Sequence, residues 1–166
     1  MYQVGDQVVY GIHGVCRVVE EQKRIVDRKS ITYLALESVA QAGARFFVPT
    51  HNAAAMAKVR AVMTDRELND LLASDAVRVD AWIRDENQRK QAYRALIAGC
   101  DRMQLTQMIH TLYRHKEYQL AAGKKVHLCD ENFLRDAEKM LISEISVVMN
   151  LTPEEAKVYL RKMLAE

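Results

Sequence analysis

The stretch Val4-Gly5-Asp6-Gln7-Val8-Val9-Tyr10, closing with His13-Gly14-Val15, decides the fold of this chain. Valine and tyrosine favour extended backbone, and the glycines permit the turns between strands. Working outward, Gln7–Ile12, Val15–Glu20, Ile31–Leu36 and Arg45–Val48 are short β-rich runs. Asp27-Arg28-Lys29-Ser30 and Gln41-Ala42-Gly43 supply turn residues between them. Four or five strands within about 50 residues predict a small SH3-like or Tudor-like β-barrel. So small a barrel has no room for a substrate, so its edge and loops are what it offers to another macromolecule.

After His51 the pattern becomes helical. Thr64 with Glu67 three residues on forms a capping box, and Thr152-Pro153-Glu154-Glu155 forms a better one, with proline at the first helical position. Asp130 is expected to cap a further helix, and Gly99 and Gly123 to stop the helices before them. Five helices are expected, over roughly 65–73, 79–97, 103–121, 131–149 and 153–164. Leu105, Met108, Ile109, Leu112 and Tyr113 make one apolar stripe, and Leu134, Ala137, Leu141, Ile145 and Val148 another. The fold class is therefore α+β: a barrel over 1–55, then a compact five-helix domain over 56–166.

Composition narrows the function classes. Apolar residues make up 49% of the 166 residues, enough for a packed core, and 6 Gly with 2 Pro argue against disorder. No long apolar run exists, so neither a membrane span nor a secretory signal is expected. Cys16, Cys100 and Cys129 are odd in number and far apart, which fits free thiols in a reducing cytoplasm. The net charge of +2 is weak support for a polyanion partner. The C-terminal stretch 129–166 carries 5 basic and 8 acidic side chains and is the poorest candidate for touching nucleic acid.

Trp82, the only tryptophan, is the sharpest single signal. Asp85, Glu86 and Arg89 follow it at helical steps, so it is expected on a solvated stretch of the 79–97 helix. It either stacks on a partner or wedges into a DNA minor groove, or it packs against the barrel or the 65–73 helix. Arg84, Arg89, Lys90 and Arg94 share that helix and could hold the flanking phosphates. The alternative is an ordinary solvated face balanced by Asp80, Asp85 and Glu86. Lys124 and Lys125 follow Gly123, as a phosphate contact or as charge complement to a helix end. Lys23, Arg24, Arg28, Lys29 and Arg45 are the barrel's cations. If the last strand alternates, one of Phe46 and Phe47 faces inward and the other favours docking by strand addition.

Catalysis finds little support. Asp6, His13 and Cys16 lie close in sequence without the arrangement of an activated nucleophile. His110 and His115 fall on different sides of a helix, and His127 with Cys129 lacks a second ligand pair, so no metal site is expected. No glycine-rich phosphate loop occurs. The expectation is a protein that is not an enzyme and needs no cofactor.

The opening motif, together with Phe47-Val48-Pro49, resembles the N-terminal module of the CarD-type bacterial transcription regulators. A related module occurs in the transcription-repair coupling factor. The remainder is similar to CarD as well, through Trp82, Leu96-Ile97-Ala98-Gly99, Ala122-Gly123-Lys124-Lys125 and Ala137-Glu138-Lys139-Met140-Leu141. The resemblance implies a Tudor-like domain that binds the RNA polymerase β subunit. It also implies a helical domain that lies on promoter DNA without sequence-specific readout and wedges a tryptophan at the upstream edge of the bubble, stabilising the open complex. By position, Arg24 matches a polymerase-contacting basic site. A second family arginine is Phe47 here, with Arg45 two residues earlier on the same strand face as its substitute and Lys23 as a neighbouring cation. Lys90 and Lys125 match DNA-facing positions. Trp82 stands three residues earlier relative to Gly99 than in the actinobacterial pattern, which on a straight helix moves it by about 4.5 Å and 300°.

The resemblance thus predicts a cytoplasmic, nucleoid-associated monomer acting in transcription. Two other readings stay open: a protein–protein adaptor that never meets DNA, and an RNA- or ribosome-associated barrel.

Overall fold

The computed structural model describes residues 1–165. The chain divides into two compact units, Met1–Val62 and the stretch from Met63 onward.

The first unit is one antiparallel sheet of five strands: β1 (Gln7–Tyr10), β2 (Val15–Val26), β3 (Lys29–Ser38), β4 (Arg45–Pro49) and β5 (Val59–Ala61). Their order is β4-β3-β2-β1-β5. The expected closed barrel is thus corrected to an open sheet, because β4 and β5 end it on opposite sides. β5 is only three residues long, and the chain between them forms a short helix, α1 (Ala53–Met56), whose Ala55 and Met56 pack on the core. β5 pairs with β1, which carries the unit past the expected boundary at residue 55 to Val62.

The opening motif folds for local reasons. Gly5 takes a left-handed φ of 98°, and Asp6 Oδ2 accepts a hydrogen bond from the Gln3 N–H at 2.8 Å. Gly14, at φ 75° and ψ −152°, occupies a region only glycine enters freely. β2 and β3 run longer than their apolar runs predict. Their turn narrows to Asp27 and Arg28, with φ of 50° and 64°. Two successive positive φ values make a type I′ turn, whose twist matches the strands and lets pairing begin at Val26 and Lys29. The inner face packs Val8, Cys16, Val18, Leu34, Leu36, Val48 and Val59.

The second unit is helical: α2 (Asp65–Ala73), α3 (Glu86–Gly99), α4 (Arg102–Ala121), α5 (Leu128–Met149) and α6 (Pro153–Leu164). Both expected capping boxes form, at Thr64/Glu67 and Thr152/Glu155, and Pro153 takes the first position of α6. The apolar stripes converge on one core that includes Leu72, Leu105, Ile109, Leu141, Ile145 and Leu160.

Three local expectations are corrected. The helix predicted over 79–97 starts only at Glu86, because Asp85 caps it through the Gln88 N–H. Trp82 and Arg84 therefore lie on a non-helical segment. α3 does end at Gly99, yet the left-handed residue is Cys100, at φ 56°. Asp130 does not cap α5: His127 holds that place without a side-chain bond, and Asp130 is buried in the first turn.

Candidate polymerase and nucleic-acid surfaces

Strand register sorts the residues of the sheet. Arg24 pairs with Ile31, and Ala35 pairs with Phe47. Residues two apart share a face, so Arg24, Tyr33, Arg45 and Phe47 lie together on the face opposite the core. Phe46 turns inward against Tyr10 and His13, while Phe47 is 37% exposed. The Arg24 guanidinium carbon lies 4.5 Å from the Phe47 ring centroid and 5.5 Å from that of Tyr33. Its Nε and Nη2 both donate to Gln22 Oε1, at 3.1 and 2.8 Å. A cation stacked on an exposed aromatic is stiff and only partly dehydrated, a form suited to meeting another surface. Arg45 reaches Glu37 at 3.6 Å on the same face. Lys23 pairs with Thr32 and so faces the other way, which separates it from this group. β4 ends the sheet, leaving half its backbone donors and acceptors pointing away from β3.

In the helical unit the organising residue is Arg89. It is 2% exposed, and its guanidinium makes a two-pronged ion pair with buried Asp130: Nε to Oδ1 at 2.8 Å and Nη2 to Oδ2 at 3.0 Å. Its Nη1 donates to the backbone carbonyls of Ile83 and Arg84, at 3.0 and 3.4 Å. Burial alone would weaken the charge, but Asp130 outweighs it and holds Arg89 above its ordinary pKa. Arg89 is thus corrected from a phosphate contact to a buried strut.

Trp82 is half-buried against the helical core. The Arg89 guanidinium carbon lies 4.3 Å from its ring centroid, and the His115 ring stacks on it with centroids 3.4 Å apart and planes 14° from parallel. Two groups so close to one ring centre cannot share a face without overlapping, so they cover opposite faces of the indole. The Ala81 backbone N–H donates to Thr111 Oγ1 at 3.3 Å, and the Trp82 backbone N–H donates to Asp80 Oδ1 at 3.0 Å, which ties the segment on to α4 and to itself.

The remaining cations differ in state. Lys90 is half-buried and pairs with Glu86 at 3.0 Å, whereas Arg84, Arg94, Lys124 and Lys125 are exposed. Lys124 donates its backbone N–H to the Gln119 carbonyl, and the Gln119 side chain lies 3.0 Å from His115 Nε2. The two lysines therefore follow directly on the end of α4 that carries the indole's stacking partner, and their loop runs into the turn of α5 that holds Asp130.

The other candidates go to separate partners. Asp6 holds Gln3, His13 stacks on Phe46, and Cys16 is buried with Sγ 3.8 Å from the Gly14 carbonyl. Among the described residues no group of three or more His, Cys, Asp or Glu could hold a metal ion, and no helix is long and apolar enough to cross a membrane. His115 and Asp130 were missed as parts of the Trp82 site. No local spacing links them to it, since they lie 33 and 48 residues downstream of the indole.

Residues 2–60 match the CarD-like/TRCF RID domain, and residues 69–161 match the CarD C-terminal domain. The architecture and the match define a transcription-associated protein of the RNA polymerase-interacting class. The chain belongs to the CarD family.

Proposed function

We infer that this chain is a non-enzymatic transcription regulator that docks on the RNA polymerase β subunit and braces promoter DNA in the open complex. Arg24 and Phe47, with Arg45 beside them, form the docking face, and the free edge of β4 offers backbone pairing to a partner strand. Trp82 meets the duplex at the bubble edge, with Arg84, Arg94, Lys124 and Lys125 as phosphate contacts and Lys90 available once it leaves Glu86. Low net charge suffices because docking raises the local concentration of the helical unit to about millimolar. A contact worth ~1.4 kcal/mol then shifts the melting equilibrium tenfold.

The observation that carries this reading is that the single tryptophan of a CarD-family chain is neither sealed in the core nor loose, but half-buried and gripped between Arg89 and His115. Two measurements test it. Capture by the isolated β lobe is expected for the wild type and lost in Arg24→Glu; no capture of the wild type refutes the docking. Open-complex lifetime is expected to shorten in Trp82→Ala, and an unchanged lifetime with the variant folded refutes the DNA contact.

A further inference from the structure

The family match assigns no role to Arg89, His115 or Asp130, yet Arg89 and His115 lie on the indole and Asp130 holds Arg89 there. We propose that Arg89 and His115 are positioning residues that clamp Trp82 between a guanidinium and an imidazole, so that DNA meets the indole by its edge and not by its face. The proposal rests on the reading that Trp82 contacts DNA.

The geometry requires the edge-on mode. Both ring faces are occupied, by His115 at 3.4 Å and by Arg89 at 4.3 Å. Intercalation needs at least one free face, so a clamped indole can press on the edge of a base step but cannot slide between bases. The clamp is stiff because neither jaw is free to turn. Asp130 holds Arg89 with two bonds, and Arg89 in turn holds the carbonyls of Ile83 and Arg84, just past the indole. His115 is set on its side by Gln119. A group held in its working geometry loses less freedom on binding, which is how positioning raises affinity without a new contact.

The imidazole works as the neutral jaw. Burial and the facing Arg89 charge lower its pKa, with His127 adding to this, against the opposing pull of Asp130 and Asp80. Lys116 and Glu131, which line the same hollow as His115 and Asp130, pair with each other. A protonated His115 would set a second cation on the indole opposite Arg89, and a protonated imidazole in contact with indole quenches its emission.

The test uses the full chain and its one tryptophan. Without DNA, Trp82 emission is expected to fall on acidification below the ordinary histidine range near pH 6.5, and His115→Leu and His115→Phe are expected to abolish that step. Acrylamide quenching at pH 7.5 is expected to rise several-fold in His115→Ala and to stay near wild type in His115→Phe, which restores a flat ring. With polymerase and promoter, His115→Ala is expected to shorten open-complex lifetime to within about twofold of Trp82→Ala and to add nothing to that variant, as for residues acting through one group. His115→Phe is expected to rescue the lifetime. The clamp is refuted if His115→Ala leaves the emission and its pH step unchanged, or if its lifetime equals wild type while that of Trp82→Ala is shortened. If the emission changes appear but Trp82→Ala has a normal lifetime, the DNA contact itself fails and the positioning role fails with it. Because His115 carries no buried ion pair, its variants avoid the folding loss expected on cutting Arg89 or Asp130.

Discussion

Removing Asp130 should cost the helical unit a large part of its stability, while removing both ends of its ion pair should cost little. The Arg89 and Asp130 side chains are 3% and 2% exposed and meet at 2.8 Å. Truncating one partner of such a pair leaves an unpaired charge in the interior, with typical losses of about 3–5 kcal/mol. In Asp130→Ala the guanidinium keeps the Ile83 and Arg84 carbonyls and the Trp82 ring, so the lower end, about 3 kcal/mol, is expected. For a unit of this size a urea slope of ~1 kcal/mol/M turns that loss into a midpoint shift of ~3 M. The same loss lowers Tm by about 12 °C or more. Arg89→Met combined with Asp130→Leu replaces two buried charges by apolar groups of similar length; such exchanges are often neutral or stabilising by about 1–4 kcal/mol, and that gain is set here against the lost bonds to the Ile83 and Arg84 carbonyls. Urea unfolding followed by Trp82 fluorescence and far-ultraviolet circular dichroism measures both, and since the only tryptophan sits in the helical unit, its signal reports on that unit. A loss below about 1 kcal/mol in Asp130→Ala, or a double variant no more stable than the single one, would show that the buried pair does not carry the unit as argued.

Two further outcomes follow from burial. His110 is 2% exposed, its Nδ1 has no hydrogen-bond partner among the described residues, and burial, then Arg114 and Arg78, lower its pKa. An unfolded histidine takes its proton near pH 6.5, so from there downward the unfolded state binds more protons than the folded one. Stability is therefore full above about pH 6.5 and declines toward pH 5, by at most ~1.4 kcal/mol per pH unit for one group; urea midpoints that stay level from pH 7 to 5 contradict this. Burial also pushes the Cys16 thiol up to about 11, which leaves roughly one thiolate in a thousand at pH 8. Mass mapping after brief iodoacetamide treatment at that pH should find half-exposed Cys129 modified well before Cys16, and equal rates would show that the sheet's core opens readily.

Much was legible in short stretches of chain because its cause is short in range. Helix starts at Thr64 and Thr152 need only a residue and its neighbour three places on. The alternation that puts Phe46 and Phe47 on opposite faces needs only the pleat, while which of them turns inward was decided by the contacts of Phe46 with Tyr10 and His13. The start of α3 was misplaced because Trp82, Asp85, Glu86 and Arg89 satisfy helical spacing equally well whether or not the helix has begun; Asp85 bonding the Gln88 N–H decides it. Barrel closure was not legible either, since pairing between end strands depends on where the chain travels between them.

Alone, the sequence determined the order of β and α segments, the apolar stripes that form the helical core, and the oddity of one tryptophan among charges. Tertiary structure decided how that tryptophan is held. Only folding brings α3, α4 and α5 together so that Asp130 claims Arg89 and His115 meets the indole. A buried charge must find its partner wherever the chain supplies one, and no local pattern encodes a partner 41 residues away.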